Sequence, residues 1–289
     1  MEKAQDRLDV LKKIEEYEKE GNFFSDVEND PQSREIKPGE VDYAYKKLST
    51  KIKRNIANKK GRKFIQSLIE NNQLILDDII GLENLDNLKT GAVVTTNHFC
   101  FMDSFPMQIA YENTHFYKKK KLFKVIREGN YTSMTGLFGK LLKNCNTLPL
   151  SSNTKTMMEF MRATQHHLEN GNLVMIYPEQ SMWWYYKKPK PLKSGSYRLA
   201  INSNVPIVPT FITMQDSNIL DTNGFYIQKL TLHIGKPIYP KSNLSNKDNM
   251  EYMKRENFKY WKKVYEETYH TKLDYTTTDR TIVQDYLDM

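Results

Sequence analysis

Cysteine is scarce in this chain. Two residues in 289, Cys100 and Cys145, are too few for a disulfide framework, and the expected setting is reducing and cytoplasmic. No run approaches the roughly 18 uninterrupted apolar residues that a membrane span needs. The opening Met1-Glu2-Lys3-Ala4-Gln5-Asp6 lacks the apolar core of a secretory signal. No Cys/His group has zinc spacing, and His166-His167 flank a helical run, so no metal is expected. Internal repeats, low-complexity tracts and nucleic-acid-binding motifs are absent, so nucleic acid is not an expected partner. Acidic residues are missing from the whole stretch between Tyr43 and Ile69.

What is present suits a folded core. The hydrophobic fraction is 39% and the charged fraction 27%. The net charge of +8 points toward anionic partners, a lipid surface among them. Residues 2–20 read as a helix. Residues 21–40, with Gly21, Asn29-Asp30-Pro31 and Lys37-Pro38-Gly39, read as a connection. A second helix is expected over 42–70, with nine basic residues and an apolar stripe of Leu48, Ile52, Ile56, Phe64 and Leu68. Apolar runs at 91–95, 173–177, 205–212 and 230–235 read as strands. Helical segments at 104–112, 133–144, 154–170 and 193–203 lie between them. This alternation predicts an α/β fold, a mostly parallel central sheet flanked by helices, behind an N-terminal helical extension. A charged, aromatic-rich helix is expected over 246–270, and the tail from 271 shows no clear period. The expected division is a basic, membrane-facing extension over 1–75, a catalytic domain over 76–245, and a C-terminal helix and tail over 246–289.

The first strand runs into Thr95-Thr96-Asn97-His98-Phe99-Cys100-Phe101-Met102-Asp103-Ser104. A neutral imidazole can take a proton from a hydroxyl near pH 7. A carboxylate on the other ring nitrogen fixes the tautomer and stabilises the imidazolium. Five positions of regular helix turn through roughly 500°, so the pair meets only if His98 sits in a loop and Asp103 near a helix start. Asp103 before Ser104-Phe105-Pro106 is equally a good helix N-cap. Further on, the strand at 173–176 delivers Tyr177-Pro178-Glu179-Gln180-Ser181 to a sheet edge, where open α/β sheets place ligands. Lys193-Ser194-Gly195-Ser196-Tyr197-Arg198-Leu199-Ala200 opens a helix, and Val205-Pro206-Ile207-Val208-Pro209 begins a strand.

In that order and spacing the chain resembles the glycerolipid acyltransferases of the lysophosphatidate acyltransferase type. Asn97-His98 with Asp103 matches their Asn-His-x4-Asp motif. Tyr177-Pro178-Glu179 matches the Phe-Pro-Glu of their Phe-Pro-Glu-Gly-Thr-Arg-Ser motif. Residues Lys193 to Ala200 resemble their Lys-x-Gly-x-x-x-Leu-Ala segment, Val205 to Pro209 their Val-Pro-x-x-Pro, and Gly81-Leu82-Glu83-Asn84-Leu85 the lead-in. The likeness covers about residues 80–240 and implies a glycerol-3-phosphate acyltransferase-like fold.

The resemblance implies transfer of a fatty acyl group from a thioester, acyl-CoA or acyl carrier protein, to a lysophospholipid hydroxyl, by default that of 1-acylglycerol-3-phosphate. No further cofactor is implied. His98 would deprotonate the acceptor and Asp103 would hold His98. Asn97, Glu179, Gln180, Ser181, Lys193 and Arg198 would bind substrate, Glu179 at the acceptor's polar head. An activated thioester needs a base, orientation and oxyanion stabilisation, not a covalent enzyme intermediate. Cys100, between Phe99 and Phe101, therefore reads as packing.

Departures bear on the acceptor. Gln180 replaces the motif's glycine, Met182 stands where it has arginine, and the stretch Gly139 to Ser152 carries no arginine. Lys143, Lys193, Arg198 or Arg127 would have to replace the phosphate-binding arginines, or the acceptor is a glycolipid, another alcohol or an amine. A lysine brings charge without a bidentate fork. Docking on an anionic membrane, peripheral on its cytoplasmic face, is expected through the basic 42–70 helix. Trp183-Trp184-Tyr185-Tyr186 is the second candidate for docking, or lines an acyl tunnel, or packs in the core. Lys118 to Lys121 would hold donor phosphates or be a solvated loop. The reading of another class is a non-catalytic lipid-binding protein.

Overall fold

The computed structural model describes residues 2–29 and 33–289; Asp30 and Pro31 of the expected connection lie outside the described residues. Seven strands form one sheet in the order β1-β7-β6-β2-β5-β3-β4. Five of them, β6 (Ile207–Leu220), β2 (Ala92–Thr95), β5 (Leu173–Ile176), β3 (Leu122–Ile126) and β4 (Thr147–Pro149), run parallel. β7 (Tyr226–Ile234) folds back antiparallel on β6, and β1 (Ile75–Ile80) lies parallel to β7 at the edge. The sheet is mostly parallel, as the alternation predicted. All four residues of β2 are buried, as befits a central strand covered on both faces.

Ten helices cover this sheet among the described residues: α1 (Gln5–Glu20), α2 (Leu48–Glu70), α3 (Leu82–Asp86), α4 (Ser104–Glu112), α5 (Glu128–Thr132), α6 (Gly136–Asn144), α7 (Thr154–Glu169), α8 (Gly195–Asn202), α9 (Asn246–Tyr269) and α10 (Arg280–Leu287). Gly91 is where helix and strand come closest. A Cβ there would stand 2.1 Å from the Leu168 carbonyl oxygen, so only glycine lets α7 end against the start of β2.

The expected second helix starts later than position 42. Asp42 accepts from the Lys46 and Lys47 backbone amides, turning the chain before α2. Tyr43 and Tyr45 are buried, and their hydroxyls donate to the Pro149 and Thr147 carbonyls at 2.8 and 3.1 Å. Those carbonyls belong to β4, the sheet edge. The run before α2 thus occupies acceptors that an open edge would offer to another chain.

β1, β3, β4 and α10 were not read from sequence. β1 carries Asp77-Asp78 on an exposed edge, β3 follows four lysines, and β4 has three residues. α10 is short but buries Val283 completely, and Asp279 caps it by accepting from Thr281 N.

The N-terminal segment and the C-terminal helices share the core of the sheet domain. Phe23 is fully buried, stacks on Trp183 at 5.8 Å and meets Tyr275 edge-on at 5.0 Å. Phe23→Ala should therefore lower the free energy of unfolding by about 3–4 kcal/mol, the range for a buried aromatic, in urea unfolding followed by tryptophan fluorescence. A loss below about 0.5 kcal/mol would show that this segment only rests on the surface.

Candidate active site

The site is built at the carboxyl ends of β2 and β5. Past β2, Asn97 is 2% exposed, and its side chain pairs with the Ile212 backbone in both directions: Nδ2 donates to the carbonyl at 3.0 Å and Oδ1 accepts from the amide at 2.8 Å. Its polar groups tie β2 to β6. Thr95 is held likewise, donating to Asn257 of α9 while its carbonyl accepts from Thr210 at 2.8 Å. The residue after these anchors is His98.

His98 Nδ1 meets Asp103 Oδ2 at 2.7 Å. The carboxylate lies 1% exposed and the imidazole 19%. A carboxylate only accepts, so Nδ1 carries the proton and Nε2 keeps its lone pair. Nε2 has no hydrogen-bond partner among the described residues. Asp103 occupies the N-cap of α4 but makes no capping bond with its side chain. Its Oδ2 instead accepts from Phe99 N at 2.9 Å and Cys100 N at 3.2 Å, curling the loop so that His98 turns back onto it. The capping alternative is thereby displaced: the carboxylate faces the loop before it, not the helix after it.

Tyr177, just past β5, completes the cluster. Its hydroxyl donates to Asp103 Oδ1 at 2.5 Å. Its ring stacks on the His98 imidazole at 4.0 Å with 21° between planes. Glu179 follows, 2% exposed, with Oε2 accepting from His98 N at 3.0 Å and Oε1 from Lys190 N at 2.7 Å. The Lys190 ammonium is also buried and donates to Ser181 O, Ser181 Oγ and Phe23 O at 2.7, 2.8 and 3.3 Å. Burial raises the Glu179 carboxyl, opposed by the Lys190 charge, and burial lowers Lys190 to about 8.

Residues 78–213, which include His98, Asp103, Tyr177, Glu179 and Lys190, match the family model described as Acyltransferase. That stretch is just under half of the chain. A curated relative, the chloroplastic 1-acyl-sn-glycerol-3-phosphate acyltransferase BAT2 of Brassica napus, is 26% identical over 168 residues, covering 56% of this chain and 45% of its own. The match thus spans about half of that relative's length. The crystal structure of the 1-acyl-sn-glycerophosphate (LPA) acyltransferase PlsC from Thermotoga maritima superposes with a TM-score of 0.52, covering 78% of this chain and 83% of that one, at 19% identity. At that identity the likeness speaks for the fold.

Within the matched stretch, the other residues singled out from sequence divide by burial. Asn97, Glu179 and Ser181 were expected to contact substrate, but their polar atoms are already engaged by the protein. Ser181 is fully buried, its hydroxyl donating to Phe23 O at 3.1 Å. They brace the loops around His98. Gln180 is exposed with φ +65°, the left-handed conformation that favours the glycine it replaces. Lys193 is exposed, with its ammonium 3.6 Å above the Phe24 ring and its amide on Pro178 O. Arg198 is exposed on α8 and shares no hydrogen bond with the dyad. Arg127 pairs with Asp26 at 2.5 Å, and Lys143 lies over Tyr131.

Of the alternatives for Trp183-Trp184, the structure selects packing. Trp183 and Trp184 are 0% and 7% exposed, too deep for a membrane interface. Trp183 N donates to His98 O and Tyr185 N to Phe99 O, so this run clamps the His98 loop. Lys118 to Lys121 lead into the amino end of β3, whereas His98 follows the carboxyl end of β2; Lys118 and Lys119 are exposed, and Lys120 donates to the Leu88 and Thr90 carbonyls. Cys100 does pack: it is 5% exposed, and burial, then the Asp103 charge, pushes its thiol well above the usual 9. A groove of about 690 Å³ between α2 and α4 is lined by Lys59, Arg62, Ile69 and Glu112 among others and does not reach the dyad.

Sequence reasoning missed the Tyr177 hydroxyl and Lys190. Tyr177 carried a signal, a tyrosine in place of the motif's phenylalanine. Lys190, in Lys187-Lys188-Pro189-Lys190, had none, since such runs are ordinarily solvated. Glu179→Gln should destabilise the fold by about 1–3 kcal/mol, because one amide hydrogen would face a backbone N–H that now has an acceptor. Unchanged stability in chemical denaturation would mean that these two backbone bonds do not hold the loop.

Proposed function

We propose that this protein moves a fatty acyl group from an acyl thioester, acyl-CoA or acyl carrier protein, to the free hydroxyl of a lysophospholipid, 1-acylglycerol-3-phosphate by default. The observation that carries the reading is His98 with Nδ1 on a buried Asp103 and Nε2 unpartnered, inside the stretch that matches the Acyltransferase family model. The relative named for 1-acyl-sn-glycerol-3-phosphate supports that choice of acceptor.

The chemistry balances without a covalent enzyme intermediate. Nε2 takes the acceptor's hydroxyl proton as its oxygen attacks the thioester carbonyl. Asp103 stabilises the imidazolium across Nδ1–H. Collapse of the tetrahedral species breaks the C–S bond, and the leaving thiolate takes the proton from Nε2. An ester and a free thiol result, and His98 is neutral again.

A second reading keeps the chemistry and changes the acceptor to a glycolipid, another alcohol or an amine. It is favoured by the absence of the motif's two arginines, and by Arg127 and Lys193 being held against Asp26 and Phe24. Thiol release from acyl-CoA, measured with 1-acylglycerol-3-phosphate and with an uncharged lysolipid in parallel, separates the two. His98→Ala should remove nearly all transfer while leaving the fold intact. Retention of most activity by the folded variant would end the assignment of His98 as the base, whereas a wild type that releases no thiol with any acceptor would leave a non-catalytic lipid-binding protein.

No helix among the described residues is long and apolar enough to cross a membrane. A peripheral dock supplies access to a bilayer acceptor, and α2 is suited to it. Its C-terminal half packs inward through Ile65 and Leu68. Its N-terminal half leaves Leu48, Ile52 and Ile56 exposed at 72%, 51% and 53%. These residues, four apart, share one face, which continues into the exposed Lys59 and Lys63. Apolar groups entering the headgroup region beside lysines at the phosphates match an anionic bilayer surface. Replacing Lys51, Lys53, Lys59, Lys60 and Lys63 with glutamine should weaken binding to anionic vesicles roughly tenfold or more at low salt, with the difference shrinking as salt screens the wild type. Transfer to a water-soluble short-chain acceptor should survive. Equal vesicle binding at low salt would place the dock elsewhere.

A further inference from the structure

Tyr177 stands where the motif it resembles carries phenylalanine, and the difference is one hydroxyl. That hydroxyl is the single donor to Asp103 Oδ1 among the described residues, whereas Oδ2 accepts from His98, Phe99 and Cys100. The carboxylate is 1% exposed, so solvent cannot take the place of a lost donor. The same residue's ring lies nearly parallel to the imidazole at 4.0 Å, which fixes the plane in which Nε2 is presented.

We propose that Tyr177 is a positioning residue of the dyad, its hydroxyl anchoring Asp103 and its ring aligning His98. The inference rests on the proposed role of His98 as the base and adds a member from β5 to a pair formed past β2. Hydroxyl and ring act on the base differently. The hydroxyl disperses charge from the carboxylate, which makes Asp103 a weaker partner for an imidazolium. The ring's π face favours the cation. A phenylalanine keeps the ring and deletes the hydroxyl, leaving a buried oxygen unpaired. The undispersed carboxylate then holds the imidazolium more strongly. Burial, then the Asp103 charge, keeps the hydroxyl protonated far above neutrality, so it remains a donor across any working pH. The other ionisable groups facing the pair are Cys100 in the same loop and, past β5, Glu179 on His98 N with Lys190 beyond it. None of these changes in the variant.

The test compares wild type, Y177F and Y177L, reading kcat, acceptor KM and the pH dependence of kcat/KM with a water-soluble short-chain acceptor, and thermal unfolding. Y177F should fold and keep its acceptor KM. Its kcat should fall roughly five- to tenfold, the loss expected for one hydrogen bond to a charged group. The acid limb of its profile should move up by about half a pH unit, because the imidazolium is better held. Y177L, lacking the ring as well, should lose more. A Y177F with wild-type kcat and an unmoved acid limb, alongside an inactive His98→Ala, overturns this inference alone. So does a Y177F that loses only folded protein while the remainder turns over with the wild-type profile, since that is a structural role. Activity in His98→Ala overturns instead the reading on which it rests.

Discussion

One buried carboxylate organises this site. Asp103 lies at the start of α4 yet turns its charge back onto the loop before it. Its two oxygens gather four donors, the Phe99 and Cys100 amides, the His98 Nδ1–H and the Tyr177 hydroxyl. An ionised carboxylate held away from water is costly unless its lone pairs are met, and charge-assisted bonds are the strongest available for doing so. Meeting them fixes a five-residue spacing that helical periodicity alone would scatter. Around this centre lies a ring of neutral or paired braces. Asn97 locks β2 to β6, Glu179 takes the amide of His98, and Lys190 satisfies three acceptors beneath it. Trp183 N closes on the His98 carbonyl from the far side.

The sequence exposed those parts of the fold whose signal is local. β2, β5 and the buried start of β6 are continuous apolar runs between turns, and α7 and α9 carry long helical periods ended by polar caps. β1, β3, β4 and α10 depend on tertiary partners: an acidic edge strand, a strand masked by lysines, a three-residue strand, a two-turn helix held by one buried valine. The start of α2 was misplaced because the acid-free, lysine-rich stretch runs back past Leu48 without a break, whereas Tyr43 and Tyr45 fasten that run to the β4 edge. At the site, the His98–Asp103 spacing was legible as a dyad. The roles of Asn97, Glu179 and Ser181 were not, because a polar residue beside a catalytic base looks the same in sequence whether it faces substrate or backbone. Burial and partner atoms separate those cases, and here all three face the protein.

The charge of the chain divides in the same way. Lys190, Lys120 and Arg127 are absorbed by the fold, against carbonyls and a carboxylate. Among the described residues, the lysines of α2 at positions 51, 53, 59, 60 and 63 are exposed, and they border the exposed apolar side chains of Leu48, Ile52 and Ile56. Cations held by the fold and exposed cations along one helix thus serve different ends, and the proposed membrane dock draws on the second group alone.

The tautomer of His98 is the most direct test of this scheme. Long-range proton–nitrogen correlation spectra of the labelled, full-length protein, recorded with the imidazole neutral, report which ring nitrogen bears hydrogen. The arrangement at Asp103 requires a protonated Nδ1 with a downfield proton and an unprotonated Nε2, and the downfield signal should vanish in Asp103→Asn. A neutral ring protonated at Nε2 would contradict it, because His98 would then have no lone pair to turn toward an acceptor hydroxyl.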